Sequence, residues 1–219
     1  MKNTIAFIVL GIVLGITAVF MVQSLQKMEA TSSTEHVDFI EYRVEVPGDV
    51  LAITHGFERG IGRAPDTITS LENSAISNML AFIARIRDKD GNLVGLASEL
   101  EIFPDDKGVN PDKTWKTDWT VTTPQGTLLM YENERVPAAH LPAFTSVMAG
   151  ENWTGSIFAQ TSVGPHPSGR GVIIGGTGIY AGATGTFVEK IELRGLTTEG
   201  GITGTMYLQI YLDKKLDNQ

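Results

Sequence analysis

The sequence predicts an all-β domain, an antiparallel barrel or sandwich of about eight or nine short strands, preceded by one long apolar segment. Three observations carry this. Past residue 37 the apolar residues recur with a period of two. Glycine, proline and Asx-rich turns separate the runs. No stretch sustains a long helical period, and many short strands without long helices close on themselves or pack face to face.

Taken in order, residues 5–22, IAFIVLGIVLGITAVFMV, carry no charge. As a helix they would span about 27 Å, close to the hydrocarbon thickness of a bilayer. Lys2 and the terminal amine precede them, which favours a cytoplasmic N-terminus with the rest of the chain across the membrane. Residues 1–30 therefore read as a membrane anchor or a signal segment. The long apolar stretch favours the anchor, and Met28 before Ala30 makes a poor cleavage site. Residues 31–36 form a polar linker, and residues 37–215 the β-domain.

The first strand is FIEYRVEV (39–46), closed by PGD. MLAFIARIR and NLVGLASELEIF (92–103) flank DKDGN as a hairpin. In the second of these, Val94, Leu96, Leu100 and Ile102 form one face, opposite Leu93, Ala97, Glu99 and Glu101. WKTDWTVT and TLLMYENERV flank TPQGT in the same way. WTGSIFAQT (153–161) and GVIIGG (171–176) follow. TGTFVEKIEL (184–193) sets Phe187, Ile191 and Leu193 against Thr186, Lys190 and Glu192. GTMYLQIYLD (204–213) sets Met206, Leu208, Ile210 and Leu212 against Tyr207, Gln209 and Tyr211. Short helical turns are expected over 70–80, with Ser70 as N-cap, and over 142–150. Two longer connections, 56–68 and 136–152, read as surface excursions or rims.

Composition excludes several function classes. Apolar residues make up 42% of the chain and charged residues 19%, an ordinary globular balance. The formal net charge of −8 repels phosphate backbones, so nucleic acid is not an expected partner. With no cysteine, disulfides, thiolate metal sites and cysteine nucleophiles are all excluded. His36, His55, His140 and His166 show no metal-ligand spacing, so neither a metal nor a cofactor is expected. No G-x-S-x-G elbow exists. Asn152-Trp153-Thr154 is a glycosylation sequon, meaningful only in a eukaryotic secretory pathway.

Twelve of the 24 glycines fall between residues 164 and 204. Gly176, Gly178 and Ala181 satisfy G-x-G-x-x-A, the spacing of a dinucleotide-binding turn. However, Gly182 and Gly185 would lie inside the required helix, at a cost of about 1 kcal/mol each relative to alanine. The residues that follow alternate with a period of two. The density of glycine instead suits a tight β-arch with Tyr180 as its one large anchor.

GGTGIYAGATGTF resembles the motif shared by allene oxide cyclases and dirigent proteins, carried here by Gly175, Gly176, Thr177, Gly178, Tyr180 and Gly185. The closing strand MYLQIYLD also resembles the last strand of the cyclases, so the likeness covers residues 171–213. It implies an eight-stranded antiparallel closed barrel of calycin-like type, an apolar cavity, and a homodimer or homotrimer. Such barrels act on small apolar molecules by confinement, holding a flexible substrate in one conformer. The chain departs from the motif at Thr184, where dirigent proteins carry arginine and the cyclases typically tyrosine, and it lacks the cyclases' cavity cysteine.

The expected function is an extracytoplasmic barrel that binds a small apolar or amphipathic molecule, as a cyclase or isomerase or as a stereochemistry-directing protein. The alternative is a non-catalytic binding or assembly barrel. Glu41 is the candidate catalytic carboxylate, should the barrel interior take its side of the first strand. Tyr207 and Tyr211 are candidates for a cavity mouth or a subunit interface. Glu99 and Glu132 are cavity or interface candidates, each paired along its strand with Glu101 or Glu134. Alternation favours the solvated outer face for these pairs.

Overall fold

The computed structural model describes residues 38–55, 69–70, 78–104 and 113–213. The described elements are β1 (Asp38–Val46), β2 (Val50–His55), β3 (Thr69–Ser70), β4 (Met79–Arg87), β5 (Leu93–Ile102), β6 (Trp115–Thr123) and β7 (Gly126–Glu134). A 3-10 turn (Ala138–His140) and helix α1 (Leu141–Met148) follow, then β8 (Trp153–Gln160), β9 (Ser162–Gly164) and β10 (Gly171–Gly176). After a second 3-10 turn (Gly178–Tyr180) come β11 (Gly185–Leu196) and β12 (Ile202–Leu212).

Eight strands close a ring in the order β1-β12-β11-β10-β7-β6-β5-β4, and β4 returns to β1 through the Arg43–Arg87 pair. Every pairing in the ring is antiparallel. The domain is therefore a closed eight-stranded antiparallel barrel. Two of its staves are composite. β2 continues β1 along β4, pairing Val50–His55 with Leu80–Ala84 after the turn at 47–49. Buried Asp49 holds that turn: Arg87 donates from Nε and Nη2 to its carboxylate, each at 2.9 Å, and the Glu45 N–H donates at 3.1 Å. On the far side β8, β9 and β10 succeed one another. β8 pairs β11, β9 pairs β7, and β10 pairs both.

The interior follows the two-residue period. β4 buries Leu80, Phe82, Ala84 and Ile86, and β6 buries Trp115, Thr117, Trp119, Val121 and Thr123. β12 buries Met206, Leu208, Ile210 and Leu212, and β11 buries Phe187, Glu189 and Leu193. An eight-stranded barrel has an interior just wide enough for side chains to fill. At the glycine end they do fill it: Tyr42, Leu128, Ile173, Tyr180, Phe187 and Leu212 are buried there, and the hydroxyls of Tyr42 and Tyr180 lie 3.0 Å apart. The opposite end is hollow.

β5 differs from the sequence expectation. Its inward face is Ala97, Glu99 and Glu101, while Leu96 and Ile102 are exposed. The cause is a bulge. Arg87 pairs Leu93 but Ile86 pairs Gly95, so one extra residue enters β5 beside the turn. A one-residue shift exchanges the two faces of a strand. Without it the apolar even-numbered residues would face the core.

The glycine motif forms the turn between β10 and β11. Gly178 has φ +60°, and a Cβ there would lie 2.1 Å from the Gln125 carbonyl oxygen. Gly185 has φ +146°, and its Cβ would meet the Tyr211 carbonyl at the same distance. Thr177 donates its N–H to the Thr127 carbonyl at 2.8 Å, and Ile179 donates to Gln125 at 3.0 Å. The motif thus seats the arch on the β6–β7 hairpin and brings β11 against the end of β12. No helix begins at Thr177 beyond the single 3-10 turn.

The short helix expected over 142–150 is α1. The one expected over 70–80 is not formed at its two ends, since Ser70 belongs to β3 and Met79 and Leu80 to β4; residues 71–77 lie outside the described residues. The anchor or signal segment 1–30, the linker and the connection 56–68 also lie outside them. Among the described residues no helix is long and apolar enough to cross a membrane.

Candidate functional site

The hollow end holds a cavity of about 200 Å³. Its walls are largely apolar: Val46, Val50 and Ile53 from the composite stave, Leu80 and Phe82 from β4, Ile191, Ile202 and Met206 from β11 and β12. The connection after β7 contributes Val136, Pro137, His140 and Phe144. It lies where β7 ends and β8 pairs only β11. α1 tucks buried Ala143 against Leu193 and Leu196 and so covers that gap in the wall.

Carboxyl groups line the floor. Glu99 and Glu101 come from β5, Glu134 from β7 and Glu189 from β11. Glu132, fully buried on β7, lies behind them. The register explains the convergence. Glu101, Thr117 and Glu132 are cross-strand partners in one row, Glu99 and Trp119 in the next, and Trp115 faces Glu134. Residues directly opposite on antiparallel strands share a face.

Indole and hydroxyl donors hold these groups. Trp115 Nε1 donates to Glu101 and Glu134, each at 3.2 Å, and Thr117 Oγ1 also donates to Glu134. Trp119 Nε1 donates to Glu132 at 3.2 Å and to Glu189 at 3.1 Å. Thr161 ties the two walls together, taking the Arg135 N–H and giving its own to the Glu189 carbonyl, both at 3.2 Å. Among the described residues no ion pair reaches any of the five glutamates. Burial pushes the carboxyl pKa of all five upward. Mutual repulsion adds to this at Glu99, Glu101, Glu132 and Glu189. Hydrogen bonds from Thr117, Thr161 and Trp115 temper the rise at Glu134. His140 is buried with Nε2 3.3 Å from the Ile157 carbonyl, and burial lowers its pKa. Burial thus favours the uncharged forms of the acids and of the imidazole, which share the cavity lining with Arg135.

The other candidates lie elsewhere. Glu41 is on the outer face of β1, because the interior takes Tyr42 and Val44. Burial alone would raise its pKa, but hydrogen bonds from Gln209 at 2.9 Å and Arg43 at 2.7 Å outweigh that and lower it. It is a surface ion-pair partner outside the cavity, which overturns its candidacy as a buried catalytic carboxylate. Tyr207 and Tyr211 also face outward and do not line the cavity. Arg43 lies over the Tyr207 ring at 5.4 Å and Arg170 over the Tyr211 ring at 4.4 Å. Glu99 and Glu132, with Glu101 and Glu134, point inward and not to the solvated outer face. The sequence reading missed Glu189, both tryptophans and His140. One signal was present on β7, where Glu132 and Glu134 share a face with Leu128 and Met130.

The sequence matches no protein-family model and no curated protein. Solved structures offer several likenesses, two of them as follows. One is to pyocyanin demethylase, with a TM-score of 0.40 and 16% identity, over 79% of this chain and 99% of that one. The other is to the pterocarpan synthase dirigent protein GePTS1, with a TM-score of 0.39 and 12% identity, over 80% of this chain and 82% of that one.

Proposed function

We propose that the barrel binds a small, largely apolar molecule bearing a proton-accepting group, and acts on it as an isomerase- or cyclase-like protein by confinement and proton donation. The observation that supports this is the pair Glu99 and Glu101 on an acid-lined floor beneath largely apolar walls. A carboxyl group in such surroundings is held neutral, and a neutral carboxyl donates a hydrogen bond or a proton. A basic nitrogen or a carbonyl oxygen on the ligand is the complementary acceptor. The walls supply orientation by excluding alternative conformers, the role that the resemblance to allene oxide cyclases and dirigent proteins implies. His140, neutral and on the same cavity, is placed to take a proton back. The charge-free segment 5–22 behind Lys2 supports an extracytoplasmic, membrane-anchored location for this chemistry.

The test uses the full-length protein in detergent with three bicyclic probes of matched size: naphthalene, quinoline and 2-naphthoate. Quinoline is expected to raise the Tm most, naphthalene less, and 2-naphthoate not at all. Glu101→Gln should reduce the preference for quinoline over naphthalene. Equal or better binding of the carboxylate would overturn the reading. Native mass spectrometry of the same preparation reports any co-purifying molecule. Turnover of that molecule separates a catalyst from a carrier.

A further inference from the structure

We propose that Glu132, Glu134 and Glu189 form a binding site for a divalent cation of the calcium type, set into the floor of the cavity. This does not rest on the small-molecule reading, which depends on Glu99 and Glu101 of β5.

The three residues come from adjoining parts of the wall, two from β7 and one from β11, and each is at most 1% exposed. One carboxylate oxygen of each lies within 4.8 Å of the others. An acidic cluster alone would be unremarked, but this one is incomplete. Trp119 supplies a donor to Glu132 Oε1, whereas Glu132 Oε2 is buried with no hydrogen-bond partner. A buried oxygen left unsatisfied costs about 1–3 kcal/mol, more when charged, and is rare in folded proteins. A proton on Oε2 could be shared with the Glu189 carboxyl, but that satisfies one pair and leaves the three acids crowded together. A cation among them relieves that crowding. Among the described residues no lysine or arginine forms an ion pair with the three carboxylates.

The donor set chooses the ion. The group offers only carboxylate oxygens, the preference of hard cations over zinc or copper. Calcium–oxygen bonds of about 2.4 Å put opposite ligands about 4.8 Å apart, so all three oxygens fit on one calcium sphere. Magnesium demands a near-ideal octahedron and gives up its waters reluctantly, so a cluster of buried carboxylates suits calcium's more flexible shell better. Glu134 and Glu189 face the cavity. The ion can therefore arrive from the mouth and complete its coordination with water. Trp115, Trp119 and Thr117 donate to carboxylate oxygens of the group, the kind of outer support that orients metal ligands.

The indole of Trp119, in contact with two of the three carboxylates, provides the assay. Full-length protein in detergent, stripped with chelator, is titrated with terbium(III) as a luminescent calcium mimic while tryptophan is excited. Sensitised emission is expected. Calcium should displace it, magnesium at equal concentration should not, and calcium alone should raise the Tm of the stripped protein. Glu132→Gln should abolish both responses while its metal-free Tm stays close to that of the parent, because an uncharged amide replaces a carboxyl that burial favours in its uncharged form. Trp119→Phe should lose most of the emission and weaken calcium about tenfold, as loss of an outer-shell partner does. Absence of emission together with absence of a calcium-dependent Tm shift in the parent protein overturns the proposal, whatever the variants do. Emission that survives in Glu132→Gln overturns it as well. Quinoline binding, measured on the stripped protein, fails or succeeds separately.

Discussion

Alanine at Gly178 and at Gly182 should separate two costs that the glycine arch combines. Both residues have positive φ, +60° and +70°. A left-handed backbone costs an L-residue about 1–2 kcal/mol. At Gly182 nothing lies within 4 Å of the added carbon, so that conformational penalty is the whole expected effect. At Gly178 the carbon would sit 2.1 Å from the Gln125 oxygen and 2.8 Å from the Gly126 Cα, both backbone atoms. The β6–β7 turn must then retreat by about 1 Å to restore ordinary C···O contact. Retreat breaks the Ile179-to-Gln125 hydrogen bond and strains the Thr177-to-Thr127 one. At about 1 kcal/mol each, these bring Gly178→Ala to about 3–4 kcal/mol, against about 1–2 kcal/mol for Gly182→Ala. For a domain of this size the difference corresponds to about 4–8 °C in Tm. Thermal unfolding followed by far-ultraviolet circular dichroism reads it directly. If the two variants melt together, close backbone approach is not what the motif secures.

Removing one hydroxyl of the Tyr42–Tyr180 pair should cost about 0.5–1.5 kcal/mol, and Tyr42→Phe combined with Tyr180→Phe should cost less than the sum of the singles; urea titration of the four proteins checks this. Asp49 is predicted to shape the acid limb of stability. Burial raises its pKa, but the hydrogen bonds from Arg87 and the Glu45 N–H outweigh that, and the folded value lies below the ordinary one of 3.8. Its contribution is therefore complete above the unfolded value and is lost as pH falls through the folded one. Asp49→Asn should lower the Tm at pH 7 and lose less of it below pH 4, as melting curves across that range would show. Leu208→Ala, in the middle of the barrel, should cost about 2–5 kcal/mol by leaving a cavity, measured by urea titration. Replacing exposed Leu129 by serine should change stability by about 0.5 kcal/mol or less.

The barrel was legible where one face of a strand is plainly apolar. β12 shows it, and its inward set is the one the alternation picks out. The arch was legible because glycine at 176, 178 and 185 answers a steric demand that few other structures make. β5 was not legible, and the reason is local. Its better hydrophobic face is the one at even numbers, and a single bulged residue next to the DKDGN turn sends that face outward. Periodicity within one strand does not reveal a bulge; pairing with β4 does. The site inherited this error, because Glu99 and Glu101 were assigned by the same face. Glu41 failed for a complementary reason: its strand is apolar at Ile40, Tyr42 and Val44, and that side won. Glu189 sits between Phe187 and Ile191 on the buried face of β11, where an acid reads as an exception until its tryptophan donor, seventy residues earlier in the chain, is seen beside it.

Among the described residues, aromatic and aliphatic bulk stoppers the barrel at Tyr42, Tyr180 and Phe187, so the hollow opens only away from them. That opening is framed in part by α1 and Phe144, a stretch whose hold on the wall rests on a few small contacts around Ala143. For a molecule bound as proposed, entry and exit would then be governed at this frame, apart from the acids at the far wall.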